Sequence, residues 1–187
     1  MKFELNDFKS EGEYNILNLG QSTIKGNSSF FKNLGPNIDF SITACTFNGF
    51  TSFNESSFNH LNIQQSKFID LSSFQDLLLN QIFIETTSFE KSAFFDDITI
   101  TEIEKCKKRT IRNIKQQLQR TDNKIDYDIF KAYELNSHRK EFVDNKQFWY
   151  NNKDVFILAI GNLLSENGMN WTRAFWVTIF GGFGFYS

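Results

Sequence analysis

His60 and His138 are the only imidazoles in this 187-residue chain, and neither stands at a spacing that grips a metal or places a base beside a nucleophile. Serines are abundant, but a serine nucleophile needs a partner base and an oxyanion donor. No Gly-x-Ser-x-Gly elbow or matching histidine motif occurs. The carboxylate pairs Asp96 with Asp97 and Asp126 with Asp128 have the composition of acid-base or metal sites, but turns and helix starts use the same residues more often. Gly181, Gly182 and Gly184 follow no phosphate-binding pattern and precede no Lys-Ser/Thr. The run Lys105 to Arg109 has the charge to meet nucleic acid or anionic lipid, and equally the look of a solvated helix face. Cys45 and Cys106 lack CxxC spacing and are expected to be reduced, buried thiols. The residues therefore predict a chain without catalytic, cofactor-binding or metal-binding positions.

The elements that carry these residues show themselves through a different pattern. From Phe53 to Phe94 a bulky apolar side chain recurs at every fifth position: Phe53, Phe58, Ile63, Phe68, then after one extra residue Phe74, Leu79, Ile84, Phe89 and Phe94. At 40% hydrophobic composition, nine hits in nine chosen positions have a chance probability of about 0.0003. Even after about 25 choices of register, chance is at the level of roughly one in a hundred, so the repeat is real. Neither helix nor flat strand has a period of five; a stacked solenoid does.

Two residues before each plug stand Thr51, Ser56, Leu61, Ser66, Ser72, Leu77, Ile82, Thr87 and Ser92, mostly small hydroxyl residues. Alternate residues of an extended segment share a face, so plug and small residue both point inward. Each five-residue unit then forms one side of a square coil, twenty residues make a turn, and turns stack at about 4.8 Å. The step from Phe68 to Phe74 requires a corner bulge at Asp70 to Ser73, and Leu61, Leu77 and Ile82 are large for their positions, predicting a distorted face. Before residue 40 the pattern is loose: Ser22 with Ile24 and Ser28 with Phe30 read as degenerate units, and Gly35-Pro36 as a turn or loop.

Units such as SSFNH, SKFID, SSFQD, TSFEK and SAFFD resemble the pentapeptide-repeat family. That resemblance implies a mainly β fold, a right-handed quadrilateral β-helix, over about 60 residues, and says little about activity.

After the repeats the period changes. Thr101 with Glu104 reads as a capping box, and Ile111, Ile114 and Leu118 follow at helical spacing, predicting a helix over about 102–120. Asp122 is placed to cap a second helix with the stripe Ile125, Ile129, Ala132 and Tyr133. This α-helical hairpin is similar to one that follows the repeats in bacterial pentapeptide-repeat proteins ending in membrane helices. The segment Val155 to Leu164 is too short to span a bilayer. The last stretch, WTRAFWVTIFGGFGFYS, has no charge after Arg173 and carries Trp171 and Trp176, with Arg173, as interfacial anchors. It reads as the start of a C-terminal apolar helix at a membrane, on a chain expected to continue beyond Ser187.

The organisation expected is thus a β-helix over 1–100, regular from about 40, an α-hairpin over 101–150, and a membrane-associated segment over 151–187. Charge divides along the same lines, net −6 over residues 1–100 and +5 over 101–153. Basic residues just before an apolar segment place the repeats in the cytoplasm by the positive-inside rule, and the opening MKFELNDFKSEGEYN lacks the features of a secretory signal. The functional expectation is a non-enzymatic, membrane-anchored scaffold or protein-interaction module. Its partners are membrane lipid at the C-terminal segment and a protein of unstated identity, with oligomers allowed and nucleic acid disfavoured. The alternative, suggested by similarity to gyrase-protecting pentapeptide proteins, is a soluble acidic rod that imitates duplex DNA and binds a topoisomerase or another nucleic-acid enzyme.

Overall fold

A computed structural model of the chain describes residues 3–4, 15–30, 37–144, 172, 175, 176 and 179. It is a parallel β-solenoid of about four turns with two helices. The chain divides into two compact units, Met1–Tyr127 and Asp128–Ser187.

In the first unit three parallel sheets run along the solenoid. The longest stacks Asn15–Gly20, Ile38–Thr43, Ser57–Gln64, Leu78–Glu85 and Thr99–Ile100 in chain order. A second stacks Phe3–Glu4, Ser28–Ser29, Thr51–Ser52, Ser72–Ser73 and Ala93–Phe94; a third stacks Thr23–Ile24, Thr46–Phe47, Lys67–Phe68 and Ser88–Phe89. The long strands round a corner: Phe58 is buried, then Leu61 and Ile63, so the inward parity changes at Asn59–His60.

The register shows a coil of 21 residues where the simple beat gives twenty. Thr46 pairs with Lys67 and Lys67 with Ser88, while Ser57 pairs with Leu78 and Leu78 with Thr99. The first full turn is two residues longer, Thr23 pairing with Thr46. The six-residue step is thus not a single irregularity between Phe68 and Phe74. It recurs in every coil, from Phe47 to Phe53 and from Phe89 to Phe95. Phe95 is accordingly fully buried, whereas Phe94 lies on the outward parity and is half-buried.

Stacking of identical plugs holds the coil. Phe30, Phe53, Phe74 and Phe95 form one column with ring centroids 4.7, 4.8 and 4.6 Å apart, and Phe47, Phe68 and Phe89 a second at 4.7 and 5.1 Å. Isolated aromatic pairs prefer offset or edge arrangements. Here the strand spacing imposes near-parallel rings within a column, and the preferred edge contacts form between columns, Phe68 to Phe74 and Phe89 to Phe95 each at 6.1 Å. Leu61 and Ile82 cause no local misfit because they stack in register on Phe40, making the whole column large.

The corners need left-handed backbone, and non-glycine residues supply it: Gln21, Ala44, Gln65 and Thr86 at one corner, Glu55, Asp76 and Asp97 at another, all with φ between 49° and 56°. Gly49 is required by crowding, since a Cβ there would stand 2.6 Å from the Gly26 carbonyl of the adjacent coil.

The last coil is closed by α1, Lys108–Arg120. Its apolar face buries Ile111, Ile114 and Leu118, and its polar side chains satisfy the exposed backbone of the strand ends. Ile84 N–H donates to Thr110 Oγ1 at 3.0 Å, Ala93 N–H to Gln117 Oε1 at 3.4 Å, and Arg120 donates to the carbonyls of Phe89 and Glu90 at 3.2 and 3.3 Å. The helix starts later than residue 102, and Thr101 and Glu104 form no capping box. Thr99–Ile100 is still strand, and the N–H groups of Thr101 and Glu102 donate to Leu79 and Asn80 of the coil below. A 3₁₀ turn, Ile103–Lys105, intervenes, and Lys107 holds the cap position without a side-chain bond.

The second helix, α2, spans Lys124–Asp144. Its cap is Asn123 and not Asp122: Asn123 Oδ1 accepts from Asp126 N–H at 3.2 Å, while Asp122, at φ 57°, reverses the chain after α1. Within the second unit Phe130 and Ala132 are buried, and Phe130 meets Tyr133 edge-on at 6.0 Å. Thr172, Phe175, Trp176 and Ile179 have helical backbone; Phe175 and Trp176 are exposed and lie 5.8 Å apart. Among the described residues no helix is long and apolar enough to cross a membrane. Val155 to Leu164, Trp171 and Arg173 lie outside the described residues.

Candidate functional site

The residues that point outward from the long sheet form the most differentiated surface of the solenoid. On Ile38–Thr43 the alternation of buried and half-buried positions turns Asp39 and Ser41 outward. Register then decides their neighbours: Ile16 and His60 flank Asp39, and Asn62 flanks Ser41, with Phe83 next beyond Asn62. Together they line a groove of about 270 Å³ whose floor includes Phe40. Ser41 is the short side chain that leaves the dent.

The polar groups here are linked across coils. Asp39 Oδ1 lies 2.9 Å from His60 Nδ1, and Asn59 Nδ2 lies 3.1 Å from the same ring nitrogen. The same oxygen accepts from Asn59 Nδ2 at 2.8 Å, and Asn59 Oδ1 in turn accepts from Asn80 Nδ2 at 2.8 Å. The sealed Oδ1 of Asn62 has no hydrogen-bond partner among the described residues. His60 and Asp39 are each about one-third exposed, 37% and 34% by side chain. The arrangement holds a carboxylate, an imidazole and an aromatic ring in one outward dent.

The other chemically suggestive residues fall to structure. Asp96 accepts from Gln75 and Asn123, and Asp126 accepts Asp97 N–H at 3.1 Å, so Asp96, Asp97 and Asp126 tie the last coil to the start of α2. Among the described residues no group of three His, Cys, Asp or Glu is placed to hold a metal ion. Cys45 and Cys106 are free and buried. Burial pushes the Cys106 thiol upward, opposed by the Ile82 N–H that donates to its Sγ. The basic run is partly paired: Lys105 with Glu102 at 2.6 Å, Lys107 with Glu85 at 2.7 Å. The Lys105 ammonium, with help from the Gln81 amide, lowers the Glu102 carboxyl from its usual range.

Of the nine repeat residues named from the sequence, Phe53, Phe58, Ile63, Phe68, Phe74, Leu79 and Ile84 are buried inside the coil, and Phe89 and Phe94 are half-buried. Trp176 is exposed. The groove residues Asp39, Ser41, Asn62 and Phe83 carry no motif. Only a 21-residue offset, which sets His60 beside Asp39, could have revealed them. No protein-family model, curated protein or solved structure matches the chain.

Proposed function

We propose that this chain is a non-enzymatic scaffold of the pentapeptide-repeat type, a right-handed four-sided coil that presents a rigid lateral surface to a protein partner and is held at a membrane by its C-terminal segment. The observation that carries the reading is the filled interior. Four plugs per coil stack at strand spacing, so the solenoid's chemistry is on its outside, where a five-stranded sheet offers a regular face. The membrane part rests on the uncharged run after Arg173 with Trp171 and Trp176, preceded by a basic hairpin. Detergent-free fractionation of cells making the protein tests it: recovery in the membrane pellet, released by detergent, is expected, and recovery only in the soluble fraction contradicts the anchor.

One observation favours the second reading, an acidic rod that imitates duplex DNA. Glu55, Asp76 and Asp97 occupy one corner in successive coils, forming a carboxylate column. Protection of a topoisomerase in a supercoiling assay would support that reading, and loss of protection on reversing those three charges would tie it to the column.

A further inference from the structure

We propose that the outer face of α1, the helix that closes the last coil, rests on anionic phospholipid headgroups and stands the solenoid end-on at a bilayer. The inference rests on the reading of a C-terminal membrane anchor and adds what orients the coil there. The sequence of α1, KRTIRNIKQQLQR, holds five cations, Lys108, Arg109, Arg112, Lys115 and Arg120, and no carboxylate. Because Ile111, Ile114 and Leu118 are buried against the coil, Arg109, Arg112, Gln116 and Gln119 fall in one exposed row on the opposite side. Helix stability does not explain these charges. Lys107 holds the cap position without a side-chain bond, Lys108 and Arg109 open the helix, and no acid stands in the first turn. The helix dipole disfavours positive charge at that end, and local rules are broken where function requires it. Lys105 and Lys107 have Glu102 and Glu85 as partners, whereas Arg109 makes no ion pair among the described residues.

The partner that fits is a surface of separate anions. α1 is about 20 Å long, and exposed Glu104 and Asp122 stand just beyond its two ends, so the positive patch is an island and not a track. A nucleic acid needs a run of phosphate contacts and favours aromatic platforms for its bases. No aromatic side chain stands on α1. Its apolar residues are all turned to the coil, so the helix meets headgroups without inserting. The solenoid carries the opposite charge, net −6 over residues 1–100. End-on docking puts α1, about 10 Å thick, between the headgroups and every coil, which keeps the acidic walls beyond the Debye length of about 8 Å. An anionic surface attracts each Lys or Arg by about fivefold, so four cations add a few hundredfold at most. That is less than a single acyl chain supplies, and the face therefore orients an anchored chain without holding a free one.

The test uses the full chain with vesicles of phosphatidylcholine alone or mixed with phosphatidylglycerol. Both native thiols are buried, so a fluorophore attaches selectively to Gln116→Cys on α1 or to Asn18→Cys on the strand Asn15–Gly20. That strand lies three spacings, about 14 Å, behind Leu78–Glu85. A headgroup-linked quencher reads which site is near the lipid. At low salt the probe at Gln116 is expected to be quenched several-fold more on the mixed vesicles, and the probe at Asn18 little on either; high salt removes the difference. The preference of the unlabelled chain for mixed vesicles is expected to fall about 25-fold with Arg109→Gln and Arg112→Gln together, about fivefold for each cation. Equal quenching at Gln116 on the two vesicle types, with the chain bound to both, overturns the proposal and leaves the anchor standing. Equal quenching at Gln116 and Asn18 overturns the end-on orientation. Tighter binding of duplex DNA than of mixed vesicles, lost in the double variant, assigns the face to nucleic acid and also overturns it. A chain that binds neither vesicle removes the anchor and the proposal together.

Discussion

Replacing Phe74 by alanine removes the centre of the longest ring column. Phe74 is fully buried, faces Phe53 at 4.8 Å and Phe95 at 4.6 Å, and meets Phe68 and Phe89 edge-on. Collapse around the vacancy is restricted, because strand spacing fixes the rings above and below. Such a truncation costs about 3–5 kcal/mol. With a urea slope of about 2 kcal/mol/M, the midpoint falls by about 2 M. The decisive comparison is between Phe94 and Phe95. A uniform five-residue beat puts Phe94 inside; a 21-residue coil puts Phe95 inside. Phe95→Ala is expected to approach Phe74→Ala, while Phe94→Ala, a half-buried outward ring, costs about 1 kcal/mol. Urea unfolding followed by far-UV circular dichroism measures all three. If Phe94→Ala proves as damaging as Phe74→Ala and Phe95→Ala mild, the 21-residue register is wrong.

Gly49→Ala drives a Cβ into the Gly26 carbonyl at 2.6 Å and is expected to destabilise by about 1–3 kcal/mol, whereas Gly20→Ala, with its nearest contact at 3.8 Å, costs less in the same urea assay. Thr110→Val deprives the Ile84 N–H of its acceptor at the coil end and is expected to cost about 1–3 kcal/mol, with faster amide exchange at Ile84. The Lys91 ammonium, and then the Leu71 N–H, hold the Asp70 carboxyl below its usual range. Its small stabilisation is present above the unfolded value of about 3.9 and disappears as pH falls through the lower folded value. A carboxyl-carbon NMR titration should show that low midpoint and a rise on Lys91→Met; an unchanged midpoint in the variant would remove Lys91 as the cause.

The solenoid is legible in the sequence because its plugs are nearly all phenylalanine, leucine or isoleucine, and burial of large apolar groups leaves a periodic trace. The corners leave none. Gln21, Ala44, Gln65 and Thr86 adopt positive φ without the glycine or asparagine that usually announces it, and the extra residue of each coil lies at a different corner, between Phe68 and Phe74 and its equivalents. The adjacent rings Phe94 and Phe95 conceal the slip a second time, since either completes an apolar pattern. At the coil end, Thr101 and Glu104 satisfy a local capping rule that strand pairing to Leu79 and Asn80 overrides. The groove is hidden for a related reason: Asp39 and His60 are neighbours only through a register that depends on the corners.

A filled solenoid held at a membrane by its C-terminal segment is tested most directly by flotation with phospholipid vesicles. The full chain is compared with one ending at Asp144, both checked for the β-rich circular dichroism of the coil. The full chain is expected to rise with the vesicles, in high salt as well as low, while the shorter one stays below with its fold intact. Equal behaviour of the two folded chains, floating or not, would contradict the membrane anchor.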